Sequence, residues 1–150
     1  MQVERLVSGN PKPALSGDAA FVLAMARHAL AYADCPVAEA ERWLRILRVH
    51  GHAGSALQAL GVGEAPLAER PPHRPVVPPA RATHAAEAVD AIERSARVHA
   101  RTRGAELVST VDLTVVLMAA YEGAIEEALR LRGTSRAELL ERLPLRSFAV

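Results

Sequence analysis

Apolar residues recur at helical spacing through the first half of the chain. After Ser16, Gly17 and Asp18, a combination typical of a helix start, apolar positions recur every fourth residue, and two further apolar faces precede Gly61. The spacing predicts three helices, with a short fourth over about residues 64–69. The predicted core-facing residues are Phe21, Met25 and Ala29 in the first helix, Trp43, Leu44, Ile46 and Leu47 in the second, and Ala53, Ala56, Leu57 and Leu60 in the third.

The second half of the chain repeats this plan. A first helix ends near Gly104, and Ser109 with Asp112 three residues later indicates a capping box that opens the next helix. Gly133 ends a third helix, and Ser135 opens a last one that ends before Pro144. The predicted core-facing residues are Val89, Ile92, Ala96 and Ala100, then Val115, Val116, Met118 and Ala119, then Ile125, Ala128 and Leu129, and finally Leu139, Leu140 and Leu143. No segment alternates with period two, so the predicted fold class is all-α, without a sheet.

The two halves superpose as sequence. A shift of 71 residues places Phe21 on Ile92, and after one inserted residue a shift of 72 places Gly51 on Gly123. Proline removes a backbone donor and fixes an extended path, so the proline-rich linker at 71–79 divides the copies. We predict a single domain over residues 1–150, with repeat one at about 14–70 and repeat two at about 83–143. Each copy has four helices, and the two pack as a pseudo-twofold pair because neither can bury a sufficient core alone.

Composition narrows the function classes. The 150-residue chain has a formal net charge of +1, which argues against nucleic-acid binding, since that needs a strong basic excess. Its single cysteine, Cys35, excludes an intramolecular disulfide and indicates a reducing cytoplasm. No stretch approaches the roughly 18 apolar residues of a membrane span, and the N-terminus lacks the pattern of a secretory signal. The alanine-, arginine- and proline-rich composition is typical of a GC-rich bacterial genome.

The second half also carries a motif skeleton. Gly104 is followed by V-S-T-V-D-L at 108–113, an apolar helix, Gly123 with Leu129 six residues later, and Gly133. This looks like the Clp N-terminal repeat, whose signature is a glycine, V-G-T-E-H-L-L, G-V-A and a terminal L-G. The first half matches more loosely, through V-A-E-A-E at 37–41, Gly51 and L-Q-A-L-G-V at 57–62. The resemblance covers about residues 14–143.

The resemblance implies a non-enzymatic protein- or peptide-binding module. In the Clp family such repeats precede AAA+ ATPase modules and receive substrates or adaptor proteins. No phosphate-binding loop G-x-x-x-x-G-K-[ST] occurs in this chain, so we expect a free-standing receiver domain without nucleotide. Its expected partners are protein clients, adaptors or a full-length ClpC-type chaperone that it competes with or assists. The alternative is a protein that sequesters a cyclic peptide antibiotic directed at such chaperones, which would confer resistance.

The resemblance also implies particular site residues. An aromatic residue begins each family repeat, and the matching positions are Ala14, with Leu15 as a shifted substitute, and Ala85, so we expect weak binding of peptides that require those rings. Some ClpC-type relatives hold phosphoarginine through a glutamate in each repeat. The matching positions are Ala40 and Val111, which cannot accept a hydrogen bond, so we expect no such recognition. Acids flank these positions, and an alignment error of one residue would bring Glu39 or Glu41 into the pocket. Asp112 follows the second position.

Candidate chemistry elsewhere is sparse. His50 and His52 could supply two metal ligands, but a zinc site needs three or four donors, so we expect structural or surface roles. Cys35 precedes Pro36 at a helix start without a base placed by the sequence, and we expect an inert, half-buried thiol. Trp43 is expected in the core rather than in a ligand site. With no nucleophile–base pair, the sequence predicts no catalytic activity and no cofactor or metal.

Overall fold

The computed structural model describes residues 12–62 and 79–144. Within these ranges the chain forms seven α-helices, one short 3-10 helix and two very short strands. In chain order these are β1 (Ala14–Leu15), α1 (Gly17–Ala29), the 3-10 helix (Leu30–Tyr32), α2 (Pro36–Leu47), α3 (Gly51–Ala59), α4 (Pro79–Thr102), β2 (Leu107–Val108), α5 (Thr110–Ala120), α6 (Glu122–Leu131) and α7 (Arg136–Arg142).

The all-α prediction is confirmed in its main content, but the prediction that no sheet occurs is wrong. Strands β1 and β2 pair in parallel, with Ala14 opposite Leu107 and Leu15 opposite Val108. The Ser16 amide extends the pairing by donating to the Val108 carbonyl at 2.9 Å. Strands of two residues are too short to produce an alternating pattern, so periodicity could not reveal them.

The predicted helix ends are confirmed where the structure describes them. The side chains of Ser16, Ser109 and Ser135 cap α1, α5 and α7, and Ser109 and Asp112 form the full capping box. Helix α4 begins at Pro79, the last residue of the linker predicted at 71–79 and ahead of the predicted start of repeat two at about 83, because proline is well tolerated in a first helical turn. The predicted fourth helix at 64–69 and the rest of the predicted linker, 71–78, lie outside the described residues.

The predicted core face of α1 is wrong. Phe21 is 50% exposed and Met25 is 45% exposed. The face that packs inward carries smaller side chains: Ala19, Val22, Leu23 and Ala26. Alanine at two of these four positions lets α1 approach its neighbours closely, and spacing alone does not distinguish this face from the one that carries Phe21.

The other predicted core faces are largely confirmed. One continuous cluster of buried side chains joins both halves of the chain. Its fully buried members include Trp43, Leu44, Leu47, Ala53, Leu57, Val89, Ala96, Ala100, Ile125, Ala128, Leu129 and Leu139. Ala119, predicted to face the core, is exposed at the end of α5.

The halves pack reciprocally. Helix α2 contacts α6, helix α3 contacts α5, and α1 contacts α4. Since the sequence shift pairs α2 with α5 and α3 with α6, the second helix of each half lies against the third helix of the other. Each half therefore supplies part of the core of its partner.

A buried carboxylate anchors the start of α5. Asp112 has no exposed surface and receives Arg103 Nε at 2.7 Å on Oδ1 and Arg103 Nη2 at 2.6 Å on Oδ2. His99 Nδ1 lies 2.6 Å from Oδ1, and the Ser109 amide donates to Oδ2 at 2.8 Å. Burial by itself raises the pKa of Asp112, but the hydrogen bonds from Arg103, Ser109 and His99 together lower it below its usual value. The end of α4, the loop after it and the start of α5 are thus all bonded to the Asp112 carboxylate.

We expect Asp112→Ala to lower the free energy of unfolding by about 2–4 kcal/mol, because it leaves the Arg103 guanidinium without its buried counter-ion. A carboxyl whose folded pKa is depressed contributes stability above its unfolded pKa of about 3.9. That contribution is lost as pH falls through the lower folded pKa. Urea unfolding across pH should therefore show the wild type and variant converging below about pH 4.

Glu127→Ala is the control for this experiment, because it breaks an exposed ion pair with Arg130. It should leave the urea midpoint unchanged. Equal effects of the two substitutions would contradict the anchoring role of Asp112.

A close approach at Gly51 joins α3 to α5. Gly51 has a φ of +59°, and a Cβ added there would lie 2.6 Å from Thr110 Oγ1. That hydroxyl is itself engaged, since it accepts from the Ala53 amide at 3.3 Å. Both the left-handed backbone and the contact therefore require glycine. At Gly123, the position that the sequence shift pairs with Gly51, a Cβ would meet nothing within 4 Å.

Gly51→Ala should destabilise the fold by about 1–3 kcal/mol, through backbone strain and displacement of Thr110. Gly123→Ala should be neutral or stabilise by up to about 1 kcal/mol, since alanine at this first-turn position of α6 restricts the unfolded chain more than glycine does and meets no steric clash. Thermal unfolding of both variants checks this contrast, and similar shifts in midpoint would contradict it.

Candidate functional site

A cleft of about 550 Å³ opens where α2, α4 and the junction of α5 with α6 meet. The first turn of α2 forms one wall, α4 forms another, and the end of α5 with the start of α6 closes the third side. The lining residues are Pro36 and Glu39 from α2, His84 and Ala88 from α4, Ala119 and Ala120 from α5, and Tyr121, Glu122 and Ala124 at the junction and in α6. Alanines leave the space that larger side chains would fill.

Glu39 is the buried charge of this cleft. Cys35 caps α2 in an extended conformation and Pro36 occupies its first position, so Glu39 falls in the first turn. A carboxylate there interacts favourably with the positive end of the helix dipole. Glu39 is 9% exposed, and burying a carboxylate to this degree requires polar partners.

Tyr121 supplies one of these partners. Its hydroxyl donates to Glu39 Oε1 at 3.1 Å and accepts the Trp43 indole N–H at 3.3 Å. Burial raises the pKa of Tyr121 to about 12; the hydrogen bond from Trp43 opposes this increase, while the Glu39 charge and the hydrogen bond to it add to the increase. The phenol therefore stays protonated and fixes Oε1, which links the buried Trp43 to the cleft.

The second carboxylate oxygen of Glu39 has a more distant polar neighbour. Glu39 Oε2 lies 3.7 Å from His84 Nε2, and the His84 side chain is 65% exposed. This separation is longer than a hydrogen bond, for which about 2.7–3.2 Å is usual. One oxygen of Glu39 is thus held by Tyr121, whereas the other faces an imidazole that can move.

The charge of the cleft lining is mostly negative. Glu39 and Glu122 contribute carboxylates, His84 contributes an imidazole, and the lining residues include neither lysine nor arginine. Such a site complements a cation with an aliphatic stem, because the alanine walls can contact methylene groups while the carboxylate pairs the charge.

The residues implicated by the resemblance to Clp repeats differ in their exposure. Ala14 is exposed in β1, Leu15 is half-buried, and Ala85 has no exposed surface. An alanine buried in the core cannot present itself to a peptide in this conformation. These three positions do not build an apolar surface site.

The positions matched to the family glutamates are also internal. Ala40 has no exposed surface and Val111 is 1% exposed, so both belong to the core, while Asp112 is committed to Arg103 and His99. Glu41 is half-buried in α2. Of the eight residues that the resemblance implicates, Glu39 is the one that lines the cleft. It lies one residue before Ala40, and an alignment error of one residue would account for this difference.

The second half has no equivalent carboxylate. The sequence shift of 71 pairs Glu39 with Thr110, which is 2% exposed and bonded to the Ala53 amide. Gly51 packs against this threonine. The corresponding helix crossing is therefore filled by main chain, and the carboxylate-lined cleft belongs to one crossing only.

Sequence reasoning missed His84 and Tyr121. His84 lies on an exposed turn of α4 and Tyr121 at a helix junction, and neither belongs to a motif. Their shared role arises because α4 and α6 converge on α2. The only available signal was that Tyr121 is one of two tyrosines in an aromatic-poor chain.

The remaining candidate residues are separate from the cleft. Cys35 is exposed, so the expectation of a half-buried thiol is wrong; the helix cap places it at the surface. His50 Nδ1 lies 3.9 Å from Asp18 Oδ1, and the His50 ring packs against exposed Phe21. Across residues 12–62 and 79–144 there is no group of three histidine, cysteine or acidic side chains able to hold a metal. In the same ranges no helix has the length and apolar character needed to cross a membrane.

Comparison with protein-family models, with curated proteins and with solved structures gives no match to this chain.

Proposed function

We propose that this chain is a non-enzymatic binding module that receives a peptide segment of a partner protein, with a cationic side chain of that segment placed against Glu39. The observation that carries this proposal is the buried Glu39 carboxylate in an open cleft, with one oxygen fixed by Tyr121 and the other 3.7 Å from His84. A ligand cation would supply the partner that this second oxygen lacks at hydrogen-bond distance.

Arginine is the side chain that suits this geometry best. Its planar guanidinium donates parallel N–H bonds to a carboxylate, and its methylene stem packs on apolar surface. The alanines at 88, 119, 120 and 124 supply that surface. Hydrogen bonds to charged groups contribute about 1.5–3 kcal/mol each, enough to make one anchor residue decisive for a short peptide.

The resemblance to Clp N-terminal repeats supports the class of partner. We propose that the two halves are repeat copies packed about a pseudo-twofold axis, and the reciprocal contacts of α2 with α6 and α3 with α5 support this arrangement. On that basis the partners are protein clients, adaptors or a full-length Clp chaperone in the cytoplasm, which this module assists or competes with. No cofactor enters the proposal.

The alternative function, sequestration of a cyclic peptide antibiotic, draws less support from the site. It depended on an apolar surface formed by the positions where Clp repeats begin. Ala14 and Ala85 carry no ring, and Ala85 is buried. The acidic cleft therefore favours a cationic peptide over a large apolar ring.

Binding of an arginine peptide tests the proposal. We expect acetyl-Gly-Ala-Arg-Ala-Gly-amide to bind at one site per chain at pH 8, and the citrulline peptide, which has the same shape without the charge, to bind at least tenfold more weakly. Glu39→Gln should weaken arginine-peptide binding by about 1.5–3 kcal/mol, because the amide can still accept from Tyr121 but carries no charge. Calorimetry measures affinity and stoichiometry.

Glu41→Gln is the matched control, since it removes one negative charge two residues away on the same helix. It should leave the affinity nearly unchanged. Equal binding of the arginine and citrulline peptides would refute the proposed role of Glu39.

Phosphoarginine should bind more weakly than arginine. The phosphoryl group brings about −1.5 to −2 charges, and the cleft offers it Glu39 and Glu122 but neither lysine nor arginine. We expect at least a tenfold loss, about 1.4 kcal/mol, on replacing arginine by phosphoarginine in the same peptide. Two saturable phosphoarginine sites per chain in calorimetry would contradict this expectation. They would also contradict the inference that Thr110, which replaces Glu39 in the second half, leaves that half without a binding site.

A further inference from the structure

The neighbourhood of His84 brings together polar side chains from α2, from α4 and from the junction of α5 with α6. His84 extends from α4 toward Glu39 of α2, and Tyr121 and Glu122 line the cleft from the α6 side. On its own helix, Arg81 and Glu87 stand three residues away on either side. The imidazole is therefore faced across the cleft by two carboxylates and one phenol.

An imidazole is the side-chain type that ordinarily changes charge between pH 5 and 8. The phenol does not, because the pKa of Tyr121 is raised to about 12 by burial and by the Glu39 charge.

We propose that His84 is a built-in, pH-dependent competitor for the ligand cation, so that the cleft accepts cationic peptides more readily as pH rises through the histidine range. This inference rests on the proposed function of the cleft. The distance of 3.7 Å between His84 Nε2 and Glu39 Oε2 is close enough for a small side-chain movement to make a direct bond. His84 is sufficiently exposed to make that movement or to turn away.

The proposal gives the cleft two states, which differ in whether His84 is protonated. When His84 is protonated, its N–H donates to Glu39 Oε2, and the imidazolium neutralises the carboxylate and repels a second cation. When His84 is neutral, Oε2 is available to an arginine, and the imidazole can swing aside as the ligand enters. A ligand that carries no charge experiences neither effect.

The size of the effect follows from one charge pair near the protein surface. Such pairs change an equilibrium by roughly two- to fivefold, and repulsion between imidazolium and guanidinium acts in the same direction. We expect the affinity for the arginine peptide to increase by about three- to tenfold between pH 5.5 and pH 8.0.

Calorimetry with acetyl-Gly-Ala-Arg-Ala-Gly-amide at pH 5.5, 6.5 and 8.0 tests this proposal on the full chain. His84→Gln should bind the peptide with the affinity that the wild type reaches at pH 8.0, and with no dependence on pH. His84→Lys keeps a positive charge throughout and should bind weakly at all three pH values. His52→Gln, which removes an exposed histidine from α3, should keep the wild-type pH dependence.

The outcomes separate this inference from the function on which it rests. If the arginine peptide binds to the Glu39 site but His84→Gln retains the full pH dependence, the competitor role is wrong and the binding site stands. If the peptide binds neither the wild type nor His84→Gln at any pH, both the proposed function and the competitor role are overturned.

Discussion

The reciprocal packing of second and third helices is the constraint on which the rest of the structure depends. Helix α2 lies against α6, and α3 lies against α5, so each half completes the core of the other. A small, alanine-rich chain with few aromatic side chains has little core to divide between two independent lobes. The Asp112 network lies within the second half, where it fixes the start of α5, the helix that packs against α3, to the end of α4.

The two crossings are similar in helix order but different in chemistry. At the crossing of α2 with α6, Glu39 meets Tyr121 beside a cleft lined with alanine. At the crossing of α3 with α5, Thr110 meets Gly51, and the absence of a side chain at Gly51 brings the backbone into contact. The first crossing therefore has an acidic cleft and the second has none, although the helices are in the same order. The difference arises from single residues: Glu39 at the first crossing, and Thr110 with Gly51 at the second.

Helix boundaries could be predicted because they are set locally. A serine cap, a capping box or a glycine with positive φ, as at Gly104, acts through its nearest neighbours in the chain. The face of α1 could not be predicted, because its apolar spacing serves two faces and Phe21 is large enough to suggest the wrong one. The β1–β2 pair joins residues more than ninety positions apart, and no local pattern encodes it.

The sequence by itself determined that the chain is helical and where most of its described helices begin and end. Only the tertiary structure decided which acid lines the cleft. Glu39 and Ala40 are neighbours in sequence, but adjacent residues on a helix point about 100° apart, so one lines the cleft while the other is buried in the core. The convergence of His84 and Tyr121 on Glu39 likewise depends on how three helices pack. Spacing along a chain specifies local conformation, whereas the partners of a carboxylate are set by distances between elements.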